Sequence, residues 1–205
     1  MLNRRLASLL AAATVAGLAA TACGQQVAAV RVDDNSLSRS DFEDELEVYY
    51  ENDQLRAAVL GDQTPQEQLR GELRGSYSQD FVGVVAGQEV LFLLADNVRE
   101  DEGVELTDAD RAGVREQLDQ VPGAGSLPEE FRDRLIDDVA GYTKLQNELG
   151  QEAFADALNT AVASSTIEVS SQYGSWDPDE FMVRPPDGPE PAPGTADGTA
   201  GLTPG

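Results

Sequence analysis

The stretch Phe81 to Ala95, FVGVVAGQEVLFLLA, is the most apolar part of the chain beyond its N-terminal leader, and Glu89 is the only charge in it. A helix that is apolar on nearly every side cannot bury itself against a single neighbour, so other elements must wrap it. The stretch falls short of the about 20 apolar residues that a membrane span needs, and Gln88 and Glu89 sit near its middle. The expectation is therefore a buried core helix, from Ser76 to Asn97, around which the rest of the domain is built.

The N-terminus reads as a leader. Residues 1–22 carry Arg4 and Arg5, an Ala- and Leu-rich run from Leu6 to Ala20, and small residues before Cys23, the pattern of a secretory signal. Ala20-Thr21-Ala22-Cys23-Gly24 resembles the lipobox of bacterial lipoproteins, in which the cysteine is diacylated and becomes the new N-terminus. The position three before the cysteine, usually Leu, is Ala20. Cys23 is the only cysteine in the chain, so no intramolecular disulfide can form, and lipid attachment is the expectation; a plain secretory signal with an incidental cysteine, or an uncleaved anchor, is the alternative. The Arg4–Arg5 pair lacks a preceding Ser or Thr and leaves the general and twin-arginine export routes both open. Residues 23–26 would be a short tether that holds the domain at the outer face of the cytoplasmic membrane.

Charge and composition exclude several function classes. The chain has 38 acidic residues against 14 basic ones, a net charge of −24, and two of the arginines lie in the leader. Phosphate backbones are bound by positive surface, so nucleic acid is excluded as a partner. Anionic headgroups are repelled by the same charge, and attachment would come from acyl chains. There is no histidine, which removes the commonest general base and the commonest zinc ligand. No cofactor, metal site or catalytic residue is expected.

In chain order, Val27–Val32 reads as a short strand, Asp33-Asp34-Asn35 as a turn rather than a calcium loop, and Ser36-Leu37 as a second extended piece. Ser38 with Asp41, or Ser40 with Glu43, caps a first helix whose Phe42, Leu46, Tyr49 and Tyr50 recur at helical spacing, with Asp44, Glu45, Glu47 and Glu51 on the opposite, solvated side. Leu55, Val59 and Leu60 continue that pattern less regularly to Gly61. Pro65 opens a short helix through Leu73, weakened by Gly71 and Gly75. Thr107 with Asp110 forms a capping box for a helix from Asp108 to Asp119. Val121–Ser126 is a loop, and Pro128 opens a long amphipathic helix with Phe131, Leu135, Val139, Tyr142, Leu145 and Leu149 along one stripe. Phe154, Leu158 and Ala161 mark a last helix, and Thr166–Val169 alternates as a strand. The tail DPDEFMVRPPDGPEPAPGTADGTAGLTPG has too few apolar residues to order itself, and Pro185–Gly205 is expected to be disordered.

Three features together, AVRVDDNSLSRSDFEDEL near the start, helices between, and TIEVSSQYGSWDP near the end, resemble the N-terminal chaperone module of SurA/PrsA-type foldases. The resemblance covers roughly residues 27–180 and implies a mainly α, SurA N-terminal/peptide-binding-like helical domain, in which a small β element pairs the two ends. It further implies five or six helices and two or three strands. Members of that family normally carry a parvulin prolyl-isomerase domain between the long helix and the closing segment; here Leu149-Gly150-Gln151 joins the two directly. The division that follows is a lipoprotein signal peptide at 1–22, lipidated Cys23 and tether at 23–26, the chaperone-like domain at 27–180, and a disordered tail at 181–205.

The resemblance implies a lipid-anchored extracytoplasmic holdase for unfolded or nascent exported proteins, monomeric and without isomerase activity. Its client-binding groove would use aromatics that core packing leaves over, with Tyr49, Tyr50, Tyr77, Phe81 and Phe92 as candidates; ordinary core positions are the other reading of all five. An envelope adaptor that recognises one partner through the acidic face is the alternative, and an isomerase is disfavoured because no nucleophile, base or metal cluster emerges. Asp137 and Asp138 are adjacent in sequence and so point in different directions from a helix.

Overall fold

The computed structural model describes residues 27–71 and 75–186; the leader, Cys23, the tether and residues 187–205 lie outside them. Strands β1 (Ala28–Val32) and β2 (Asn35–Ser38) form an antiparallel hairpin. Asp33 turns the chain at φ 53°, a left-handed conformation that aspartate tolerates better than most residues. The same Asp33 fastens the far end of the domain. Its N–H donates to the Thr166 carbonyl at 2.9 Å and its Oδ1 accepts from the Thr166 N–H at 2.8 Å, so Asp33, Asp34 and Asn35 form a structural turn.

Ser38 ends β2 and caps α1 (Arg39–Glu51) by accepting from the Asp41 N–H. The helical pattern then breaks at Asn52, whose backbone leaves the helix (φ −124°, ψ 88°) and whose side chain caps α2 (Asp53–Val59) through Leu55 N–H. The expected helix from Pro65 to Leu73 is replaced by one 3-10 turn at Gln66–Gln68, followed by a turn-back in which Arg70 pairs with Tyr77. Gly71 permits this: a Cβ there would lie 2.4 Å from Ser76 Oγ and 2.6 Å from the Tyr77 carbonyl oxygen.

The core helix is α3 (Gln79–Asp101), capped by Ser78. It is the one helix among the described residues long and apolar enough to cross a membrane, yet twelve of its residues are buried within the domain. The wrapping comes from α5 (Glu129–Leu149), α6 (Gln151–Ser164), β1, and the strand β5 (Met182–Arg184). Between α3 and α5 runs α4 (Asp108–Leu118), where Thr107 and Asp110 make both hydrogen bonds of the expected capping box. A single residue, Gly150 at φ 75°, separates α5 from α6.

The strand β3 (Ile167–Val169) then returns beside β1, antiparallel, giving a sheet of order β2-β1-β3 that joins the two ends of the domain. The fold is thus mainly helical, with six α-helices among the described residues and small antiparallel strands. Its ordered part runs past residue 180, where the tail was expected to begin. Strand β4 (Ser175–Asp177) pairs with β5, and Val183, only 2% exposed, seals the end of α3. Two glycines one turn apart on α3, Gly83 and Gly87, let the β5 backbone approach. This compensates for the polar composition around it, because backbone contact and one buried valine substitute for an apolar run.

Candidate functional site

Of the five aromatic side chains expected at a client groove, three are core. Tyr49, Phe81 and Phe92 are 0%, 2% and 7% exposed. Tyr49 meets Phe131 edge-on at 5.7 Å, and Phe92 lies against Tyr142. Helical recurrence placed these rings on the inner face, and the inner face is fully packed. The remaining two, Tyr50 and Tyr77, are half-buried neighbours with ring centroids 5.5 Å apart. The Arg70 guanidinium covers this pair, 3.7 Å from the Tyr50 centroid and 4.9 Å from that of Tyr77, a geometry held by the attraction of a cation for the ring face. Cys23 lies outside the described residues.

The most unusual chemistry lies deeper. Glu45 on α1 and Glu89 on α3 are 2% and 4% exposed, and their carboxyl groups hydrogen-bond to each other. Arg134 on α5 donates to Glu45 Oε2 at 3.0 Å. Asp138, one turn further along α5, interacts with Glu89 and Arg134. The Tyr49 hydroxyl is buried beside them without a hydrogen-bond partner. Glu45 lies in the interior and not on the solvated face of α1 that its charge predicts: Phe42, Glu45, Leu46 and Tyr49 follow the i, i+3, i+4, i+7 spacing of one helical stripe and all four are buried. The available signal was that spacing, together with the lone Glu89 in an otherwise apolar helix.

Burial disfavours the charged form of each acid. It pushes Glu45 up to about 7, against the pull of Arg134 and the Glu89 hydrogen bond. Asp138 is pushed up to about 8, first by burial and then by the charge of Glu89. Glu89 is raised well above the ordinary carboxylate range by burial and by Glu45. One arginine cannot balance three carboxylates in a shared interior, so the cluster holds protons at neutral pH. Glu45 and Glu89 have no opening to solvent that a substrate could enter. Asp138 alone borders a cleft of about 490 Å³, shared with Asp96, Arg99, Glu105, Arg111 and Asp137, whose Arg111 is paired to Asp137 at 2.7 Å. Asp137 is exposed and Asp138 half-buried, and both border this cleft. Among the described residues no group of acids is arranged to hold a metal ion.

A second cleft, of about 640 Å³, opens at the sheet. It is bordered by Val27, Ala28 and Arg31 from the start of β1, by β3 with Ser170 and Ser171, and by Trp176 on β4. Val27 is 61% exposed, and the buried indole N–H of Trp176 has no acceptor. Comparison with protein-family models, with curated proteins and with solved structures finds no match for this chain.

Proposed function

We propose that this chain is a lipid-anchored extracytoplasmic holdase, which shields segments of unfolded or nascent exported proteins and does not isomerise prolines. The observation that supports this most is the way the domain closes: β3 returns antiparallel beside β1 while α5 passes into α6 through Gly150 alone. Both features are in keeping with the resemblance to the foldase chaperone module, in which an isomerase domain would stand at the α5–α6 junction. Holding a client needs surface rather than a catalytic group, and the −24 charge of the chain favours basic, unfolded clients.

One observation favours the adaptor reading as the second choice. Among the described residues only Val27, Val84 and Met182 are large apolar side chains that are openly exposed, which is less apolar surface than broad client binding commonly uses. The test is an aggregation assay with a chemically unfolded exported protein, run beside a proline-isomerisation assay. Suppressed aggregation with an unchanged isomerisation rate supports the holdase. No suppression at a several-fold molar excess refutes it.

A further inference from the structure

Among the described residues the three-stranded sheet ends at β2 on one side and at β3 on the other. In an antiparallel pair, successive residues point their N–H and C=O groups alternately toward and away from the partner strand. Ser170 N–H donates to the Ala29 carbonyl and Asp33 N–H to the Thr166 carbonyl, so residues 166, 168 and 170 face β1. The backbone groups of Ile167 and Val169 therefore point away from β1, and among the described residues no strand pairs with them: β3 is one end of the order β2-β1-β3, and β4, which packs near β3, hydrogen-bonds to β5. Edge groups of this kind are a ready template for another extended chain.

We propose that the free edge of β3 is the docking site for an extended segment of a client protein, which joins the sheet as a fourth strand. This deepens the holdase reading and rests on it. Main-chain hydrogen bonds to Ile167 and Val169 would bind any sequence able to extend, as strand addition does elsewhere, and that independence of sequence is what a general holdase requires. The cleft beside the strand supplies contacts for alternate side chains through the apolar surfaces of Val27 and Trp176. Glu168 is exposed between the two edge residues and stands opposite Arg31 of β1, so the preference for a basic segment comes from the net charge of the chain. Other occupants fit less well. Residues 187–205 contain Pro189, Pro191, Pro193 and Pro204, which lack the N–H a ladder needs. A second copy of this chain would set two strongly acidic molecules edge to edge.

The test uses the mature chain and a synthetic peptide of alternating lysine and valine. Hydrogen exchange at the Ile167 and Val169 amides should be fast in the free protein and slow at least tenfold when the peptide is present, and the fluorescence of Trp176, the only tryptophan, should shift. N-methylation of every second peptide amide should weaken binding at least tenfold in one register and little in the other. Equal binding of both methylated peptides, or peptide binding that leaves these amides unprotected, overturns the proposal. So does protection already present in the free protein and lost on dilution, which would identify a second copy, or lost on deleting residues 187–205, which would identify the tail. The aggregation assay reads the holdase independently: suppression with no protection at β3 leaves that reading standing and removes this site, whereas protection without suppression keeps the site and moves it to a single-partner adaptor.

Discussion

A Cβ added to Gly83 would stand 2.6 Å from the carbonyl oxygen of Val183, closer than any real side chain approaches a backbone atom. The core helix and the last strand are in contact because this residue has no side chain. Gly87, one turn on, leaves 3.6 Å to Val183 N and is the more tolerant position. Gly83→Val should displace β5 and destabilise the domain by about 1–3 kcal/mol, in the range of overpacked cores, while Gly87→Ala should cost less. Urea unfolding followed by Trp176 fluorescence checks both, and equal midpoints for Gly83→Val and the parent chain would contradict the packing described.

The buried acids predict an inverted pH dependence. Glu45, ordinarily near 4.5, keeps its proton to about 7 in the folded state, and Asp138, ordinarily near 3.8, keeps its proton to about 8. The folded chain therefore binds more protons than the unfolded chain across this window. Stability contributed by these groups is fully present below the ordinary carboxyl range and falls as pH rises through about 7 and then 8. For one buried proton such as that of Glu45 the slope is about 1.4 kcal/mol per pH unit. Arg134 opposes the effect, and Asp41, Asp96 and Asp137 add to it. Unfolding midpoints should be higher at pH 5 than at pH 8, and Glu89→Gln should narrow the gap. A midpoint that rises with pH would count against a protonated cluster.

Closing the chain on itself makes the two ends interdependent. Asp33→Ala removes the acceptor for the Thr166 N–H and the Asn97 contact to its carboxylate, and it forces alanine into a left-handed backbone. A loss of about 1–3 kcal/mol is expected from the hydrogen bond and the strain together. Proteolysis should show that residues 165–186 become the first to be cut. Unchanged protection there would mean that β3 does not depend on the hairpin.

Much of the scaffold is legible in the sequence because it is written in local chemistry. Thr107 and Asp110, Ser38 and Pro128 each sit at a helix start, and the Phe131–Leu149 stripe gives α5 its inner face, whereas the break between α1 and α2 at Asn52 carries no such signal. Features that depend on distant partners are not legible in the same way. Strands β4 and β5 are three residues each and polar in composition, and only the missing side chains of Gly83 and Gly87 hint at what packs there. The charge of Glu45 argues for solvent and its spacing for the interior, and what decides between them is Glu89, 44 residues away on another helix. The aromatic candidates divide by the same logic: periodicity identifies an inner face, and it cannot say which rings of that face are left over.

The anchor has its own test. Cys23→Ser, expressed in the native host, should release the protein into the medium or leave its leader uncleaved. Normal processing together with unchanged membrane fractionation would refute lipid attachment and leave the fold untouched.

The central claim is that this domain holds many unrelated exported chains. Photoreactive amino acids placed at Glu168, beside the strand edge, and at Tyr50, beside Arg70, sample two separate surfaces of the domain in the intact envelope. The account predicts adducts with many different exported proteins from position 168, reduced by high salt because exposed charges are screened over about 8 Å at physiological ionic strength and less far in stronger salt. One dominant adduct shared by both positions would contradict it and identify a dedicated partner instead.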